Sequence, residues 1–207
     1  VYNRPWRIVD DAYPDVASSV RNEPNYDIPL VHGGGNFHLF RNRDAYMTRL
    51  IVNENTSLSE QQIIDYYADY QGLNVTLTDP FPSSYDSTQH IDMWMLPLDD
   101  TSVLIGQYAS NQGGGVPKQV TDATASLMES RGYTVYRTPG WNAGGTHYTY
   151  TNAVLMNDLA LICRFGGAYS SQDAQALATF QSAMPDREIV QVDCGDIIFS
   201  AGAIHCI

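Results

Sequence analysis

The stretch His90-Ile91-Asp92-Met93-Trp94-Met95-Leu96-Pro97-Leu98-Asp99-Asp100-Thr101-Ser102-Val103-Leu104-Ile105-Gly106-Gln107 decides the architecture. His90 to Leu98 and Ser102 to Gln107 are apolar runs flanking an Asp99-Asp100 turn, and they read as paired strands. Pro117 then opens a helix carrying Val120, Ala123, Leu127 and Met128, which Gly132 stops. Tyr133 to Arg137 reads as a closing strand. The unit is strand–strand–helix–strand.

The same unit stands on either side, at a period of roughly 55–60 residues. Upstream, Gly35 to Phe40 and Arg49 to Asn53 read as strands. Ser57-Leu58-Ser59-Glu60 reads as a capping box for a helix with Ile63, Ile64, Tyr67 and Ala68 inward, closed by Gly72, and Asn74 to Thr78 alternates as a strand. Downstream, Thr149 to Met156 and Ala160 to Phe165 flank Asn157-Asp158. Ser170 or Ser171 caps a helix with Ala174, Leu177, Ala178 and Phe180, ended before Pro185, and Glu188 to Val192 closes the unit. Ile197 to Ile207 reads as the start of a fourth. The prediction is an α/β fold of repeated units around a pseudo-symmetry axis. Each unit opens on polar residues, namely Gly34-Gly35-Asn36, His90-Ile91-Asp92, Thr151-Asn152 and His205-Cys206, which would converge at one end of that axis.

Composition bounds the chemistry. At 207 residues the chain makes one domain or most of one. A net charge of −12, with Lys118 the sole lysine, leaves no basic stripe for nucleic acid and suits a cationic substrate. No apolar run reaches membrane-spanning length. Few lysines, many serines, threonines and tyrosines, and the sequons Asn55-Thr56-Ser57 and Asn74-Val75-Thr76 lean towards a secreted protein. The chain begins at Val1 and stops after Cys206-Ile207, so it is expected to be a mature piece or a fragment.

The cysteines and histidines carry the candidate chemistry. No Cys-x-x-Cys or His-Glu-x-x-His spacing supports a metal, and Asp193 and Asp196 are too sparse for a calcium loop. Cys163, inside Leu159 to Cys163, reads as a buried core thiol, with pairing to Cys194 left open. Cys206 is left over as a reactive thiol. On a strand His90 and Asp92 would share a face, whereas the adjacent His205 and Cys206 would oppose each other. Cys206 is therefore paired with His90, and His205 is assigned a structural place. Gly33-Gly34-Gly35 precedes no phosphate-binding helix, so close backbone approach accounts for it better. Asn111 to Gly115 and Pro139 to His147 read as loops bordering a cleft, and Trp94 and Trp141 as packing.

The motifs His90-Ile91-Asp92, Tyr150-Thr151-Asn152 and Gly202-Ala203-Ile204-His205-Cys206 resemble the guanidine-modifying superfamily with the α/β-propeller (pentein) fold. Leu30 to Asn36 and Tyr2-Asn3-Arg4-Pro5 resemble it too, closest to Porphyromonas-type peptidylarginine deiminases and agmatine deiminases. The resemblance implies hydrolysis of peptide-linked arginine to citrulline and ammonia, without a cofactor. It implies Cys206 as nucleophile, His90 as general acid/base, Asp92 as guanidinium-binding carboxylate and Asn152 as an active-site amide. Asn36, Arg4 and Trp6 become candidate substrate contacts. The Arg-Asp-x-Gly-Pro-Trp stretch that such proteins carry upstream is missing, so residues 1–207 are expected to be one catalytic domain lacking its N-terminal unit and its extreme C-terminus. The rival readings are an agmatine or free-arginine deiminase, a non-catalytic binding module of the same fold and, more distantly, a cysteine amidase.

Overall fold

The computed structural model describes residues 8–206. Three units repeat one topology. In the first, β1 (His38–Leu39) pairs antiparallel with β2 (Asp44–Thr48), and β2 pairs parallel with β3 (Asn74–Thr78) after helices α2 (Leu50–Glu54) and α3 (Glu60–Gln71). In the second, β4 (Met95–Pro97) and β5 (Ser102–Gln107) form the hairpin, and α4 (Val116–Ser130) crosses to β6 (Thr134–Ala143), parallel to β5. The third runs through β8 (Val154–Met156), β9 (Leu159–Arg164), α5 (Ser170–Ala183) and β10 (Glu188–Asp193). A further strand, β7 (Thr146–Thr149), folds back antiparallel on β6 and carries the chain from the second unit into the third. A helix α1 (Ile8–Arg21) precedes them all.

Each helix lies on its own sheet because its apolar stripe has nowhere else to go. Ile63 and Tyr67 of α3 meet Ala45, Met47 and Leu77 in one core cluster. Val120, Ala125 and Met128 of α4 meet Val103 and Ile105 in a second, and Ala176 and Phe180 of α5 meet Ala160 and Ile162 in a third. Trp94 is fully buried, stacked on Phe81 with ring centroids 5.7 Å apart, and Trp141 stacks on Tyr148 at 5.1 Å.

Several boundaries differ from the sequence expectation, each for a local reason. Arg49 to Asn53 is not a strand: Leu50–Glu54 is helical, and the strand is the preceding Asp44–Thr48, whose pairing with both neighbours outweighs its polar start. The capping box is Ser59 with Gln62, two residues later than Ser57 with Glu60. Helix α5 starts at Ser170 behind Tyr169, with no side-chain cap. Pro139 to His147 is a hairpin of β6 and β7 turned by Gly144 and Gly145, both at positive φ, rather than a loop. Cys163 and Cys194 are bridged rather than thiols, with Cα atoms 5.4 Å apart, joining the end of β9 to the residue after β10.

The unit-opening segments depart furthest. His90-Ile91-Asp92 is not a strand extension, since Ile91–Met93 is a 3₁₀ turn. Thr151-Asn152 is a bend, and the terminal segment is two 3₁₀ turns, Ile197–Ser200 and Ile204–Cys206, with no strand. These short turns place the polar residues at the mouth of the repeat.

Candidate active site

Asp92 stands at the centre. Its side chain is 1% exposed, and three donors converge on Oδ2: His205 Nδ1 at 2.8 Å, Asn152 Nδ2 at 2.9 Å and Cys206 Sγ at 3.3 Å. Oδ1 is buried with no protein hydrogen bond. The backbone carbonyl of Asp92 accepts from Thr151 Oγ1 at 3.0 Å, which fastens its turn to the bend entering the third unit.

Asn152 joins both halves of the site. Its Nδ2 donates to Asp92 Oδ2 and to Cys206 Sγ at 3.0 Å. Its Oδ1 accepts from the backbone N–H of Ala203 at 2.9 Å and of His205 at 3.1 Å. One buried amide thus fixes the terminal turn and orients the thiol.

The terminal 3₁₀ turn removes the geometric ground for setting His205 apart from Cys206. Adjacent residues oppose each other only on an extended chain. In the tight turn His205 and Cys206 both reach Asp92. Two small residues make that possible. Ala201 takes a left-handed φ of 61°, and a Cβ on Gly202 would lie 2.6 Å from Cys206 Cβ.

Gly35 accounts for the glycine run by close approach. A Cβ there would lie 2.7 Å from His90 Nδ1 and 2.8 Å from Asp92 Oδ2. His90 therefore shares the Gly35 backbone with Asp92, though through the turn and not by i, i+2 spacing on a strand. Gln89, just before it, takes a left-handed φ of 56°. Asn36, expected to contact substrate, commits its buried amide to backbone instead. Oδ1 accepts from Thr48 N at 2.9 Å and Ile91 N at 3.3 Å, and Nδ2 donates to Thr48 O at 3.2 Å. It locks the 91–93 turn onto the first unit. Arg4 and Trp6 lie outside the described residues.

The electrostatics favour a resting thiol. Burial, followed by the charge of Asp92, pushes the Cys206 pKa up to about 12, with the Asn152 bond opposing. The hydrogen bond that His205 donates to Asp92 raises the His205 pKa, against burial. A bound cation beside Asp92 would reverse the sense for Cys206 by offsetting the carboxylate charge.

Three further polar groups have no sequence motif. His38 is buried with Nε2 donating to Met95 O at 2.8 Å, and burial drives its pKa down to about 4. Its ring centroid is 6.1 Å from that of His205. Asp173 on α5 accepts from Tyr150 Oη at 2.8 Å and from the N–H groups of Phe165 and Gly166, bracing the segment before Asn152. Asp86 and His147 face each other at 3.6 Å inside the aromatic group Phe81, Tyr85 and Tyr108.

Among the described residues, no group of three or more His, Cys, Asp or Glu side chains is placed to hold a metal ion, and no helix is long and apolar enough to cross a membrane.

Comparison with known proteins bears on this arrangement. The family described as Porphyromonas-type peptidyl-arginine deiminase matches over residues 4–207. An agmatine deiminase of C. jejuni superposes with a TM-score of 0.81 at 16% identity, over 100% of this chain and 64% of that one. The agmatine deiminase of Enterococcus faecalis gives 0.82 at 19% identity, over 96% and 62%. At such identities the likeness shows the fold, a mixed α/β pentein with an incomplete propeller-like set of units. A Lactococcus lactis subsp. lactis relative with the provisional name agmatine deiminase is 36% identical over 59 residues, which are 28% of this chain and 15% of that protein. The chain thus spans less than two thirds of these relatives.

Proposed function

Because the chain belongs to the Porphyromonas-type peptidyl-arginine deiminase family, we propose that it hydrolyses the guanidinium of an arginine-derived substrate to a ureido group and ammonia. The observation that carries this reading is the meeting of the Cys206 thiol, the Asn152 amide and the buried Asp92 carboxylate within 3.3 Å of one another. A planar cation against Asp92 compensates its charge and places the guanidinium carbon beside Sγ. The cation also lowers the thiol pKa from its resting value, so the nucleophile forms only when substrate is present.

The step then runs as follows. The Cys206 thiol gives its proton to His90, the thiolate forms a C–S bond at the guanidinium carbon, and the C–N bond breaks as His90 passes that proton to the departing nitrogen, which leaves as ammonia. His90 next takes a proton from water as the oxygen attacks the thiouronium carbon. The C–S bond breaks and the thiol is restored. Every group named belongs to this chain, so no cofactor is invoked.

For the substrate, a small guanidine such as agmatine is the reading with more support, since several of the similar folds and the Lactococcus relative carry the name agmatine deiminase. Peptide-linked arginine is the second reading, favoured by the family description. A secreted location is proposed with it, supported by the Cys163–Cys194 bridge, which persists in oxidising compartments. The test is ureido-product formation from agmatine and from a blocked arginine peptide side by side, with Cys206→Ala as control. Agmatine turnover alone, lost in the variant, is the expected result. Peptide turnover would select the second reading. No turnover of either by the full-length protein would leave a binding module.

A further inference from the structure

His205 holds Asp92 in the way a substrate guanidinium would. An imidazolium is a planar, delocalised cation that donates N–H groups to a carboxylate, and a guanidinium is the same with more donors. Here Nδ1 lies 2.8 Å from Oδ2 of a carboxylate that is almost wholly buried. A buried carboxylate without a cation is costly, and removing one partner of such a pair is strongly destabilising. The described surroundings supply no lysine or arginine contact to Asp92, and the ion pair it makes is the one with His205. The ring is not locked in: its side chain is 34% exposed and sits on the terminal 3₁₀ turn, with an open path to solvent.

Resting on the amidine-hydrolase reading, we propose that His205 is a displaceable counter-cation: it occupies Asp92 in the empty site, and an arriving guanidinium takes its place while the imidazolium gives one proton to solvent. His205 is then a determinant of substrate binding, distinct from His90, which acts on the leaving group. It also makes the site selective for cations, because a neutral ligand cannot replace the charge that leaves.

The groups facing His205 are Asp92 from the 91–93 turn, Cys206 beside it and His38 from β1, while His90 stands with Asp92 against Gly35. Asp92 raises the His205 pKa against burial, which favours the cationic form of the ring. His38 stays neutral, pinned to Met95 O and held at about 4 by burial. Cys206 is a neutral thiol in the empty site.

The sign follows from linkage. A bound guanidinium lowers the His205 pKa, so binding releases a proton and affinity weakens as pH falls below the empty-site value. With one proton competing, the loss approaches about tenfold per pH unit on the acid side.

The experiment is calorimetric titration of the Cys206→Ala protein, which cannot turn over, with agmatine and with Nα-benzoyl-arginine amide. It is run from about pH 5.5 to 8.5, across the histidine range, in two buffers of different ionisation enthalpy. The expected result is release of close to one proton and an affinity that falls steeply towards acid pH. Adding His205→Asn, or His205→Gln if the first variant folds poorly, should abolish the proton release. The variant should also bind more tightly than its parent at the acid end. A flat profile without proton release in the parent overturns the proposal while leaving amidine hydrolysis standing, provided the wild type turns substrate over. An identical acid loss in the His205 variant also overturns it, and assigns the proton to another group. If neither compound is bound or turned over by any form, both the reading and the proposal fall.

Discussion

Two acid–histidine pairs, whose acids Asp86 and Asp92 stand a few residues apart in the chain, behave differently. Asp92 meets His205 at 2.8 Å, on a ring that reaches solvent, with a thiol and an amide on the same oxygen. Asp86 faces His147 at 3.6 Å, both nearly without exposure, with Oδ2 and Nδ1 each lacking a hydrogen bond. Burial works against ionisation of Asp86, yet the attraction of His147 and the bonds from Thr88 outweigh it and hold its pKa low. His147 Nε2 and Tyr108 Oη lie 2.8 Å apart, so that pair is sealed in an aromatic wall. The chemistry of the partners is the same. What separates a reactive pair from a structural one is an exit for the histidine and a nucleophile beside the acid.

That comparison can be broken at its strongest point first. Asp92→Asn removes the charge that recruits the cation, and turnover should fall by about a thousandfold, the scale of losing a buried electrostatic contact in a transition state. Steady-state kinetics with agmatine checks it, and a retained rate would strip Asp92 of its place. Gly35→Ala should cost about a hundredfold in kcat by pushing apart His90 and Asp92, against which its new Cβ would lie at 2.7 and 2.8 Å. Rates near wild type there would mean that the backbone yields.

Asp86→Asn sharpens the contrast from the other side. Breaking a buried pair should lower stability by about 3 kcal/mol in denaturant titration, while turnover of the folded fraction changes less than about threefold. The smallest effect is confined to acid pH and concerns His38. Its pKa falls from 6.5 in the unfolded chain to about 4 in the folded one. The unfolded state therefore binds more protons between those values, and stability present above pH 6.5 is lost as pH falls towards 4. The loss is on the order of 3 kcal/mol. His38→Gln should flatten that acid arm, and an unchanged slope in the variant would place the proton elsewhere.

The repeat was legible because amphipathic helices and β-branched runs announce themselves over ten or more residues. Asn74 to Thr78 and Ser102 to Gln107 match the observed strands end to end. The candidate site was legible as motifs carrying His90, Asp92, Asn152 and Cys206, of which the fold brings Asp92, Asn152 and Cys206 together, but not as geometry. Periodicity cannot distinguish a strand end from a 3₁₀ turn three residues long, and that ambiguity hid the approach of His205 to Asp92. The polar start of Asp44 to Thr48 concealed a central strand, and the apolar Leu50-Ile51-Val52 imitated one. The Cys163–Cys194 bridge, the Asp173 brace and the buried His38 depend on distances across the fold, about which single residues carry no signal.

The site also records the whole chain. Asn36 bonds to Ile91 across 55 residues, Asn152 to Asp92 across 60, and Cys206 to Asp92 across 114. Closing loops of that span comes late in folding, after the local hairpins and helices have formed. The proposed activity would thus be a coincidence detector: it would register only when all the units are docked at once. A partly assembled chain carries a cysteine without its carboxylate, so on the proposed reading stray amidine chemistry would be withheld until folding is complete.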